Sequence, residues 1–155
     1  MTVKFDLDEL TQRLRGRRYP VAVLDISTDP LGWRTELVVQ AEAIGLCVAD
    51  ARDTLLSGPK SKLLGALSRG QVITWLKSEA ASSNGILGVN ADELIGSWPF
   101  SEQARFFKDL MQQELRLADV SRTGIPLVLA SSRVDALEDE WATSKLDGCG
   151  ILLRL

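Results

Sequence analysis

Apolar and polar positions along this chain repeat with two periods, one helical and one that of short buried strands. Helical spacing first appears over residues 6–15, where Leu7, Leu10 and Leu14 share a face and Asp6 or Asp8 can cap the first turn. The segment runs into a basic cluster around Gly16, which complements the negative end of a helix dipole. Pro20 then opens the apolar run 21–26. That run is too short and too β-branched for a helix, so it predicts a strand buried on both faces. Residues 27–32 (STDPLG) have loop composition. A helix is predicted over 33–44, with Leu37, Val38, Ala41 and Ile44 on one side and Gly45 as its stop, followed by a strand at 46–49. Strand, loop, helix and strand in that order form the repeating unit of parallel α/β sheets.

The pattern continues with helical stretches at 60–67 and 71–81, a turn at 82–85, a third strand at 85–89 and an irregular linker at 97–100. Ser101 is placed to cap a helix to about residue 119, since Phe107, Leu110, Met111, Leu115 and Ala118 recur at helical spacing. A fourth strand at 125–130, a short acidic helix at 136–142 and a fifth strand at 151–155 complete the reading. The whole predicts one α/β domain over 1–155, with helices on both faces of a five-stranded parallel sheet.

Composition narrows the chemistry. With 155 residues and 45% hydrophobic content the chain can bury a core without disulfides or metals. A net charge of −3 provides no general attraction for nucleic acid. The one basic cluster, Arg13, Arg15, Arg17 and Arg18, would suit a nucleic-acid-contacting accessory, but a charge cluster at a helix end is usually a solvated face, so any nucleic acid is expected through a partner. There is no histidine, which removes imidazole triads and imidazole-based zinc sites, and no metal site is expected. Cys47 and Cys149 lie far apart in apolar surroundings and are expected to be small buried hydrophobes. The acidic amino terminus does not resemble a signal peptide, and no apolar run reaches the roughly 18 residues of a membrane span. A cytoplasmic protein without membrane contact is expected.

Three segments carry a resemblance to a known family. They are PVAVLDISTDPLGWRTELVVQAEAIGL, GILGVNADELIG, and TGIPLVLASSR with the later LDGCGILLRL. Over residues 18–155 the chain resembles the core of AAA+-type P-loop ATPases: phosphate-loop unit, Walker B strand, sensor strand and last core strand. The Tyr19-Pro20 opening and small size are also similar to the small P-loop protein of BREX-type phage-defence systems. The resemblance implies a sheet order of 5-1-4-3-2 and no lid domain. It would put the strands of Cys47 and Cys149 at opposite edges, beyond disulfide reach.

The residues that such chemistry needs are mostly replaced. A phosphate loop requires G-x-x-x-x-G-K-[ST], with backbone N–H groups around phosphate, a lysine on it and a hydroxyl on Mg²⁺. Here Gly32, Arg34 and Thr35 could stand in, but Trp33 falls on the second glycine, Pro30 removes an N–H and Asp29 adds negative charge. In the Walker B segment the two acidic positions hold Asn90 and Ala91, and Asp92 and Glu93 come two residues late. Those acids equally suit the start of a short helix, and the sensor-like Ser131, Ser132 and Arg133 equally suit a turn. Ser57-Gly58-Pro59-Lys60-Ser61 also ends in Lys-Ser but lacks the upstream glycine and strand.

Two function classes follow. The first is a non-catalytic pseudo-ATPase, without cofactor, that serves as a binding or scaffold subunit of a larger bacterial complex, DNA-related or in phage defence. Trp33 and Trp98 are its candidate partner contacts, though each also suits core packing. The alternative is a working ATPase or nucleotide switch. It would bind ATP and Mg²⁺ through Gly32, Arg34, Thr35 and Ser131, with Asp92 and Glu93 as catalytic acids.

Overall fold

The computed structural model describes residues 5–17, 19–53, 68–113, 124–134 and 150–155. In chain order its elements are α1 (Leu7–Arg15), β1 (Val21–Asp25), α2 (Pro30–Ile44), β2 (Cys47–Asp50) and α3 (Arg69–Ser83). They continue with β3 (Ile86–Val89), α4 (Asp92–Gly96), α5 (Phe100–Leu110), β4 (Leu127–Ser131) and β5 (Ile151–Arg154). All strand pairs are parallel, and the order is β2-β3-β4-β1-β5. Read from the other edge this is 5-1-4-3-2, the expected order.

Side-chain alternation builds the layers. Along β1, Val21 and Val23 point to a core shared with α3, α4 and α5, while Ala22 and Leu24 point to a core shared with α1 and α2. β4 divides in the same way, Leu127 and Leu129 against Val128 and Ala130. Strands buried on both faces explain why the central segments read as continuous apolar runs. Gly88 in β3 lets α3 come close, because a Cβ there would lie 3.0 Å from Leu129 Cδ1 and 3.3 Å from Leu76 Cδ2. Arg69, at the start of α3, ties that helix to α5 through Glu102 and Asp109. Its guanidinium is held above its ordinary pKa, first by the hydrogen bond to Asp109 and then by that to Glu102.

Local expectations needed correction in three places. Helix α2 opens at Pro30, three residues before the predicted start at residue 33. The cause is local: Asp29 caps the helix and Pro30 fits its first turn, where a missing N–H costs nothing. Helix α5 opens at Phe100 with Pro99 at its N-cap, so Ser101 lies inside the helix and is not its cap. The Pro99 carbonyl accepts from the amides of Glu102 and Gln103, and no side-chain cap is used. Cys47 is exposed instead of buried, since β2 is an edge strand paired only with β3 among the described residues. Cys149, Arg18, the Lys-Ser stretch at 57–61 and the predicted helices at 60–67 and 136–142 lie outside the described residues, as does the end of the helix predicted to reach residue 119.

Candidate functional site

In open parallel sheets, polar groups collect where loops leave the carboxyl ends of the strands, at the point where strand order reverses. Here that edge carries Asp25 from β1, Asp50 from β2, Asn90 and Asp92 after β3, and Ser131 and Ser132 at the end of β4. Between them lies a crevice of about 210 Å³, with Ile26, Val89 and Ala130 as its apolar walls and Arg34, Asn90 and Asp92 among its polar groups. Ordinary small-molecule pockets run from about 300 to 1,000 Å³. The crevice is smaller than that.

The β1–α2 segment is folded on itself. Asp25 is 4% exposed; its Oδ1 accepts from the Ser27 amide at 3.0 Å and its Oδ2 lies 3.6 Å from Arg154 Nε. Residues 27–32 are all exposed. At the start of α2 the Gly32 amide donates to Asp29 Oδ1 at 3.2 Å, and the Trp33 amide donates to the Asp29 carbonyl at 2.9 Å. Gly32 is what makes room for that carboxylate, since a Cβ there would stand 2.2 Å from Asp29 Oδ2. Gly32, Arg34 and Thr35 therefore lie within the helix, not in a loop around an anion. The Thr35 hydroxyl donates back to the Leu31 carbonyl at 3.0 Å, one turn earlier.

Arg34 reaches across to β3. Its Nη1 donates to Asn90 Oδ1 at 2.8 Å, and Asn90 Nδ2 donates in turn to Asp50 Oδ2 at 2.8 Å. The other Asp50 oxygen accepts from the amides of Arg52 at 2.9 Å and Asp53 at 3.3 Å. Asn90 has φ 60°, a left-handed conformation that Asn tolerates better than most residues.

Asp92 turns the other way, toward β4. Its Oδ1 accepts from Ser131 Oγ at 2.6 Å, and its Oδ2 accepts from Ser132 Oγ at 2.6 Å and the Ser132 amide at 3.1 Å. Glu93 pairs with Arg52 at 2.6 Å on the surface.

The edge thus gathers Arg34, Asn90, Asp92, Glu93 and Ser131 of the sequence-derived candidates. It does not gather the tryptophans. Trp33 packs on the α1–α2 side of the sheet, and Trp98 packs on the other side, 5.2 Å from the Phe106 ring. Of the basic cluster, Arg13 is exposed, Arg15 and Arg17 are half-buried, and Arg15 Nη2 donates to the Asn84 carbonyl at 3.4 Å. Among the described residues, no group of three or more Cys, Asp or Glu is placed to hold a metal ion, and no helix is long and apolar enough to cross a membrane.

Sequence reasoning missed Asp50 and Arg52. Their signal was available, because an acid directly after a short apolar strand sits where α/β sheets place functional side chains. No family model, curated protein or solved structure matches the chain.

Proposed function

We propose that the chain is a degenerate P-loop-type ATPase core that works as a cytoplasmic binding or scaffold subunit and does not turn over nucleotide. The observation that carries this reading is the start of α2. There Pro30 removes one N–H, and the Asp29 carboxylate takes up the Gly32 amide that an incoming phosphate would need. Other arrangements agree with it. Arg34, the stand-in for the phosphate-loop lysine, is engaged with Asn90, and both Asp92 oxygens are engaged with serines. Exposed apolar surface favours a protein partner. Leu31 and Val39 of α2 are 64% and 57% exposed, so its outer face is a better docking candidate than Trp33 or Trp98. Any nucleic acid would be reached through that partner.

Calorimetric titration with ATP·Mg²⁺ tests the proposal. The expected trace is flat into the millimolar range, and hydrolysis stays at background. Micromolar binding lost in Arg34→Ala would replace it with the nucleotide-switch reading, and turnover lost in Glu93→Ala would make the protein an ATPase.

A further inference from the structure

We infer that Arg34, Asn90 and Asp50 form an internal latch across the carboxyl edge of the sheet, and that Asn90 is required there as an amide instead of being a carboxylate that was lost. The inference rests on the scaffold reading insofar as it treats the crevice as one that closes without a ligand. Chemistry at the two ends of the chain of bonds decides the middle residue. A guanidinium can only donate, and an ionised carboxylate can only accept. A side chain bonded to both must accept at one end and donate at the other. Asn90 does so at 2.8 Å on each side.

Because Arg34 has no acceptor, the amide orientation is fixed by its partners. An aspartate at position 90 would turn a carboxylate oxygen toward Asp50 Oδ2 at hydrogen-bond distance, with no proton between them. Asp50 cannot easily turn away, since its second oxygen holds the amides of Arg52 and Asp53. The backbone adds its own selection. At φ 60° a β-branched or bulky residue would be strained, and the short polar side chains of Asn and Asp are the tolerated ones. Restoring the family's acid at this position would therefore keep the backbone and break the bond.

The latch joins the first half of α2 to the ends of β3 and β2, so it fixes the helix that follows β1 against strands on the far side of β4. It also holds Arg34 toward β3.

A swap of the two partners tests this. In Asp50→Asn/Asn90→Asp, the aspartate at 90 accepts from Arg34 and from the new amide at 50, whose oxygen still serves Arg52 and Asp53. Each single variant is expected to melt about 5 °C below the parent, and the double variant within about 2 °C of it. Losses that add in the double variant, or an Asn90→Asp protein that melts at or above the parent, would overturn the latch. Should Asn90→Asp fail to fold, a soluble double variant with a cooperative melt supports it, and a double variant that also fails overturns it. The ATP titration is a separate readout: micromolar binding by the parent protein sinks the scaffold reading, whereas additive melting losses sink the latch.

Discussion

The segment after β1 and the turns after β3 and β4 face the same edge of the sheet, yet Asp29 and Asp92 find their partners by opposite means. After β1, Asp29 bonds the start of its own helix, only three residues away, and every residue from 27 to 32 is exposed. After β3, Asp92 reaches across to the next strand, where Ser131 is fully buried. Water can replace a bond lost at exposed Asp29 but not one lost at the fully buried Ser131 hydroxyl, so the same kind of hydrogen bond is worth more at Ser131. Local capping shapes this edge, and cross-strand bonding holds it.

Asp92→Ala tests the stronger side. It leaves the buried Ser131 hydroxyl and the Ser132 amide without their acceptor, and urea unfolding should show a loss of about 3 kcal/mol. A loss below about 1 kcal/mol would mean that water reaches the turn and the contrast is wrong. A smaller effect is expected at Gly32→Ala, where the added Cβ must push the Asp29 carboxylate off the helix start, for about 1.5 kcal/mol. The sharper form of that test repeats the change in an Asp29→Ala background. There the clash is gone and Ala should match or exceed Gly, because Ala is the better helix former by up to about 1 kcal/mol. The smallest effect belongs to the surface pair of Arg52 and Glu93, whose side chains are 53% and 59% exposed. Either alanine substitution should alter stability by no more than about 0.5 kcal/mol, less in high salt.

The sheet was legible because strands buried on both faces leave an apolar run that no helix of that length would show, as at residues 21–26. Its order rested on a resemblance, and the observed pairing agrees with it. The β1–α2 segment was read in the wrong register. The loop composition of residues 27–32 put the helix start at residue 33, although Asp29-Pro30 is itself a helix-start signal. Asn90 was legible only as a missing acid. Its partners come from α2 and β2, distant in sequence, so spacing could not reveal that an amide is needed there. Cys47 was misjudged for a related reason, since apolar neighbours in sequence do not tell an edge strand from a central one.

The position of β1 bears on how the chain is made. It pairs on one side with β4, Val21 against Leu127, and on the other with β5, Ala22 against Ile151. A ribosome delivers β1 well before either of its two neighbours. Until β4 and β5 emerge, a strand that is entirely apolar up to Asp25 has no place in a sheet. Contacts so distant in sequence are slow to form and leave sticky segments waiting. Helices α1 and α2, whose Leu7, Leu10, Leu14, Leu37 and Ala41 share a core with Ala22 and Leu24, are already synthesised and can shelter one face of that strand in the interval.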